Sequence, residues 1–233
     1  MSDFRRYAIY YLPSKEPFVS FATSWLGWDV ARGVRVAHPD IAGLPQLVGE
    51  MTDRPRRYGL HATMKPPFRL AEGQTFDALS AATEAFAVDT APARADGLRL
   101  ARIGRFLALV PTGDPAEIAE LVGHIVRAFD PFRAPADAAE LARRRASGLT
   151  PAQDALLLDW GYPYVFEEFR FHITLTGPLA PEDAAATETT LLQHLDGQMP
   201  APFQIDDIAL VGEDEDGFFH LIHRYALAGA RRA

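Results

Sequence analysis

The stretch RYGLHATMKPPF, residues 57–68, alternates polar and apolar side chains and then stops in two prolines. A second stretch, EFRFHITLTGPL at 168–179, is written the same way, its histidine 111 residues after the first. Successive side chains of a β-strand point to opposite faces. In the first stretch Arg57, Gly59, His61, Thr63 and Lys65 therefore share one face, against Tyr58, Leu60, Ala62 and Met64. In the second, Glu168, Arg170, His172, Thr174 and Thr176 share a face, against Phe169, Phe171, Ile173 and Leu175. Each strand is thus expected to pack its apolar side on a core and to present an imidazole, a hydroxyl and a cation on the other.

The surroundings of the two stretches repeat as well. After the first come a helical pattern (74–88) and two strand patterns (97–104 and 105–111). After the second come a helical pattern (181–195) and two strand patterns (203–212 and 218–227), joined by the polar turn EDED. From His61 to Arg105 is 44 residues and from His172 to Phe218 is 46. The order strand, helix, strand, strand therefore occurs twice, as an internal duplication with pseudo-twofold symmetry would give. The expected architecture is α+β: one two-lobed domain over 1–233, with lobes at about 57–111 and 168–227. The opening RYAIYYLP (6–13) reads as a buried strand, residues 16–31 as a helix, 115–129 as another, and the stretch before residue 57 as Gly- and Pro-punctuated loop. An insertion at about 131–167 holds the helix ADAAELARRRA and a second one capped by Thr150 with Pro151 at its first position. It is placed to cover the groove between the halves.

With 233 residues, 48% of them hydrophobic, the chain is long enough for a substantial core and is not of disordered composition. No apolar run approaches the ~18–20 residues that span a bilayer. The start MSDFRRYAIYYLP has too short and too aromatic an apolar run for a secretory signal, so a cytoplasmic protein without a membrane partner is expected. The absence of cysteine excludes disulfides, thiol catalysis and zinc–thiolate sites. A net charge of −8 disfavours a broad duplex-binding surface and leaves room for a local basic pocket holding a small phosphorylated ligand. Only two cations are lysines, and one of them, Lys65, stands in the first motif.

If the two polar faces meet across one groove, two imidazoles and two hydroxyls converge, an arrangement suited to a phosphodiester. One histidine takes a proton from water while the other, protonated, gives one to the leaving oxygen; histidine alone has an ordinary pKa that allows both roles near neutrality. The residues leave open which is which. Thr63 and Thr174 would donate to non-bridging phosphate oxygens, with Lys65, Arg57 or Arg170 adding positive charge. No metal or cofactor is called for, although Glu168 keeps a metal reading open. Thr176, Tyr162, Tyr164 and Glu168 are candidate substrate contacts; the aromatic run Trp160, Tyr162, Tyr164, Phe166 can stack a base or sugar, or serve as lid packing. His38, His124, His194, His220 and His223 read as ordinary: the last two differ by three on a strand and face opposite sides.

Paired His-x-Thr-x motifs on duplicated halves resemble the two-histidine (2H) phosphoesterase superfamily, which includes RNA 2′,3′-cyclic phosphodiesterases and 2′–5′ RNA ligase-like proteins. More narrowly, RYAIYYLP, YGLHATMKPPFRLAEG and WGYPYVFEEFRFHITLTGPL are similar to an uncharacterised branch encoded in bacterial phosphonate-utilisation operons. The resemblance implies antiparallel sheets forming a concave groove with helices outside, His61 and His172 as catalytic histidines, and Thr63 and Thr174 as phosphate-binding hydroxyls. Carbon–phosphorus bond breakdown passes through a ribose cyclic phosphate, so it further implies hydrolysis of a small cyclic phosphodiester such as 5-phosphoribosyl 1,2-cyclic phosphate. RNA end-opening or 2′–5′ joining, guided by a basic track through Arg54, Arg56, Arg57 and Arg143 to Arg145, is one alternative. A non-catalytic nucleotide sensor is another. Oligomeric state is left open.

Overall fold

The aromatic and branched run RYAIYY forms β1 (Arg6–Tyr11), the inner strand around which the larger sheet assembles. The computed structural model describes residues 4–230; the first three residues of the N-terminal stretch and the last three of the C-terminal end lie outside the described residues. After β1 come α1 (Phe18–Leu26), the short strands β2 (Trp28–Asp29) and β3 (Val34–Arg35), and the single-turn helices α2 (Val48–Met51) and α3 (Asp53–Arg56). The first repeat is β4 (Ala62–Phe68), α4 (Phe76–Asp89), β5 (Ala93–Ala95), β6 (Gly97–Ile103) and β7 (Phe106–Thr112). Then α5 (Ala116–Phe129), α6 (Ala138–Arg145) and α7 (Pro151–Trp160) lead to the second repeat: β8 (Ile173–Thr174), α8 (Pro181–Leu195), β9 (Phe203–Ile205), β10 (Asp207–Glu213) and β11 (Phe219–Ala226).

Every strand pairing is antiparallel. One sheet runs β11-β10-β1-β4, another β6-β7-β8, and β5 pairs with β9. The halves are not contiguous lobes. Through β1, the first motif strand joins the hairpin of the second repeat; β8, from the second motif, joins the hairpin of the first. Element order was readable along the chain, but strand partners are chosen by non-local pairing, which the order does not encode.

The larger sheet sorts its side chains by parity. Tyr7, Ile9 and Tyr11 enter the main core with α4 and α5, while Ala8, Tyr10 and Leu12 face the other side with Ala209, Val211, Phe219, Trp28 and Val30. α5 contributes Ile118, Leu121, Val122, Ile125 and Phe129, a stripe at helical spacing. Each such fully buried aliphatic side chain contributes roughly 1.5–3 kcal/mol. The helix expected over 16–31 is shorter. Gly27, at φ 79, ends it with its N–H on the Thr23 carbonyl, and the chain turns into β2. The second insertion helix starts as expected, with Thr150 and Gln153 in a reciprocal capping box and Pro151 in the first turn.

Candidate active site

His61 lies just before β4, where the chain leaves a tight turn. Gly59 makes that turn possible: its φ is 61, and a Cβ there would meet Val30 at 2.3 Å. The His61 Nδ1 donates to the Gly59 carbonyl at 3.1 Å, and its Nε2 stands 3.1 Å from Thr63 Oγ1. Because a carbonyl only accepts, the proton sits on Nδ1, Nε2 carries the lone pair, and the Thr63 hydroxyl donates to it. The ring is 8% exposed and is flanked by Tyr10 at 4.2 Å and Tyr58 at 5.7 Å between centroids. Burial, with a smaller contribution from the neighbouring His172, lowers its pKa from 6.5 to about 4, so the imidazole is neutral at pH 7.

His172 repeats this wiring. Its Nδ1 donates to the carbonyl two residues back, that of Arg170, at 2.8 Å, leaving Nε2 unbonded among the described residues. It is half-buried against Phe106, and Thr174 beside it is half-buried in β8. β4 and β8 touch, and His172 lies close enough to His61 for a charge on one to disfavour a proton on the other. Both imidazoles thus point Nδ1 at a carbonyl two residues back and turn Nε2 away from it.

Two expected members of the polar faces leave them, for the same reason. Tyr10 pairs with Thr63 but Ile9 pairs with Lys65, so Met64 is an extra residue in β4 and the β-bulge flips Lys65; a second register shift follows before Phe68 pairs with Tyr7. Pro66 and Pro67 supply no N–H to the ladder, and β4 is an edge strand, where such irregularity is tolerated. Lys65 therefore turns into the core: it is 1% exposed, and its Nζ donates to the Val126 carbonyl at 3.1 Å and to Asp130 at 3.2 Å. Burial lowers its pKa to about 8, opposed by Asp130. In the second motif the N–H groups of Leu175 and Thr176 both reach the Leu107 carbonyl, the mark of a second bulge. Thr176 is 1% exposed and its hydroxyl accepts from the Leu107 N–H at 2.9 Å. The expected phosphate contact from Lys65 and substrate contact from Thr176 are thereby corrected: both are core groups.

The second motif strand is also shorter than the alternation suggests. Residues Phe166–Glu168 form a 3₁₀ turn and only Ile173–Thr174 are laddered, although burial still alternates from Phe171 to Leu175. Arg170 is exposed and donates to the carbonyls of Glu167 and Phe169. Glu168 accepts from Gln153 at 2.9 Å. Arg57 is exposed, its guanidinium against Gly217 in the β10–β11 turn. Tyr164 is exposed, whereas Tyr162 is held under the Arg144 guanidinium, 5.1 Å from its ring centroid. Of the arginines proposed as a basic track, Arg56 bonds the Gly49 carbonyl, Arg144 pairs with Glu140 and Arg145 with Asp154.

Tyr10 and Tyr58 flank the histidine, with Arg6 near both tyrosines, and none of the three was singled out in the sequence. The signal was there: Arg6, Ala8, Tyr10 and Leu12 share one face of the first strand, yet nothing local says that this face meets His61. A small cavity of about 20 Å³, lined by Arg6, Lys65, Arg69, Arg133, Glu140 and Trp160, adjoins the end of β4 far from His61. Among the described residues no three His, Cys, Asp or Glu side chains gather as metal ligands, and no helix is long and apolar enough to cross a membrane.

Fold and site together define a mixed α/β protein with antiparallel sheets, two of whose strands each follow a histidine held through Nδ1 by the carbonyl two residues back. The chain belongs to the family described as "Protein of unknown function (DUF1045)", which matches residues 63–220. It is 39% identical over 218 residues to "Ribose 1,5-bisphosphate phosphokinase PhnN" of Janthinobacterium sp. (strain Marseille), covering 91% of this chain and 48% of that protein. It is 33% identical over 220 residues to the protein of the same name from Laribacter hongkongensis (strain HLHK9), covering 91% of this chain and 49% of that one. The chain thus spans about half the length of the curated relatives it matches.

Proposed function

We propose that the chain is a phosphodiesterase of the 2H kind that opens a small cyclic phosphodiester, 5-phosphoribosyl 1,2-cyclic phosphate, in phosphonate breakdown. The observation that carries this reading is the twin wiring of His61 and His172, each with Nδ1 tied to a carbonyl two residues back and a threonine two residues on in the chain. In the reaction as we write it, His61 is the base, because burial keeps it neutral. Its Nε2 takes a proton from water, the water oxygen bonds to phosphorus, the bond from phosphorus to O2 breaks, and protonated His172 delivers a proton to O2. Thr63 and Thr174 donate to the non-bridging oxygens, where charge accumulates.

Breaking that bond yields ribose 1,5-bisphosphate, the compound in the printed name of both curated relatives. The phosphokinase activity in those names is not carried over to this half. A phosphate loop of the G-x-x-x-x-G-K-[ST] type needs a lysine after glycine, and the two lysines here stand in PSKEP and TMKPP.

The test is a screen of the purified protein, with chelator present, against 5-phosphoribosyl 1,2-cyclic phosphate and nucleoside 2′,3′-cyclic phosphates. Turnover of the ribosyl compound supports the reading. Turnover of the nucleotides alone overturns the substrate, and turnover abolished by the chelator overturns the proposed chemistry.

A further inference from the structure

Two buried donors near Tyr162 have nothing to bond. The Tyr10 hydroxyl and the Arg144 Nε are both sealed from solvent without a hydrogen-bond partner among the described residues. Folded proteins leave few such groups, and each costs about 1–3 kcal/mol. An arginine Nε–H can only donate, and a tyrosine hydroxyl donates readily, so the missing partner is an acceptor.

Both donors neighbour Tyr162. The Tyr10 ring lies on His61, and its hydroxyl has Tyr58, Arg6, Glu213 and Tyr162 as charged or titratable neighbours. Arg6 is on the same face of β1, four residues away, with Nε and Nη2 bonded to Glu213 and Nη1 still available. The Arg144 guanidinium lies over Tyr162 and is anchored by Glu140. Beyond Tyr10, Arg6 lines a small cavity bordered by Glu140, Trp160 and Gly161 of the insertion. In and around this cavity, five cations (Arg6, Lys65, Arg69, Arg133, Arg144) face four carboxylates (Asp130, Asp137, Glu140, Glu213).

We infer that this region is a second anion subsite, in which Tyr10 Oη, Arg144 Nε and Arg6 Nη1 donate to a phosphomonoester carried by the substrate away from its reacting phosphorus. The inference rests on the reaction proposed above and deepens it. The substrate has two phosphoryl groups, one cleaved between the histidines and one held here.

The probe is ribose 5-phosphate, whose binding needs no turnover. Calorimetric titration is expected to show binding to the unmodified protein and at least about tenfold weaker binding by Tyr10→Phe and Arg144→Met. Tyr10→Phe removes an unpartnered hydroxyl, so its ligand-free Tm is expected to equal or exceed that of the unmodified protein. In the kinetic arm, Tyr10→Phe is expected to lower kcat/KM for 5-phosphoribosyl 1,2-cyclic phosphate about tenfold and leave that for ribose 1,2-cyclic phosphate unchanged. Equal losses on both compounds, or ribose 5-phosphate binding indifferent to both substitutions, would overturn the subsite. Ribose 5-phosphate binding as expected, without turnover of either cyclic phosphate, would uphold the subsite and overturn the reaction.

Discussion

His61 ties the stability of the protein to pH with a sign and a size that can be worked out. In the unfolded chain its pKa is that of an ordinary histidine, 6.5; in the folded protein it is about 4, chiefly from burial among Tyr10, Tyr58 and the neighbouring His172. The folded-state value is the lower one, so the unfolded chain binds the proton first as pH falls. Stability is fully present above pH 6.5 and is lost as pH drops through 4. At about 1.4 kcal/mol per tenfold, the full loss is about 3 kcal/mol, of which about 2 kcal/mol has gone by pH 5. The assay is urea unfolding by tryptophan fluorescence at pH 7, 6, 5 and 4, on the unmodified protein and on His61→Gln, which cannot titrate. Contributions from the five histidines outside the two motifs cancel in the difference. The unmodified protein is expected to lose about 3 kcal/mol relative to the variant over this range. Parallel stability curves, with an NMR titration of His61 near 6.5, would refute both the burial argument and the assignment of His61 as base.

The remaining expectations concern the bulges and the pair. Lys65→Met should leave kcat/KM within about threefold, whereas a lysine that donated to the reacting phosphate would cost about a hundredfold or more. Asp130→Ala should destabilise by about 3 kcal/mol in urea unfolding, because it strands the buried Lys65 ammonium. Thr176→Val should cost about 1–3 kcal/mol by leaving the Leu107 N–H unpaired, with KM unchanged. Thr63→Val should instead lower kcat while leaving the urea midpoint nearly unmoved. His172→Ala should lower kcat by about 10²–10⁴-fold and remove the basic limb of the pH–rate profile.

How far the chain could be read depended on whether each feature is local. The polar–apolar alternation from Phe171 to Leu175 depends only on neighbouring residues, and burial follows it, whereas around His61 the run Gly59–Ala62 is buried on both faces. The cap at Thr150 and Pro151 is equally local and was found where the residues put it. Lys65 and Thr176 were misread because the bulges that turn them inward arise from pairing with β1 and β7, distant in sequence. Pro66 and Pro67 hinted at a broken ladder, but only the register with Ile9 says which residue flips. The exchange of motif strands between the sheets is a non-local choice of the same kind, and so is the meeting of Tyr10 with His61. A tyrosine in RYAIYYLP reads as core until its hydroxyl is found without a partner.

The most direct measurement is ³¹P NMR of 5-phosphoribosyl 1,2-cyclic phosphate incubated with the purified protein and with its His61→Ala and His172→Ala variants. The expected result is conversion to ribose 1,5-bisphosphate by the unmodified protein, slowed by about 10²-fold or more in each variant. No conversion, conversion that survives loss of either imidazole, or release of the 2-phosphate isomer would contradict the account.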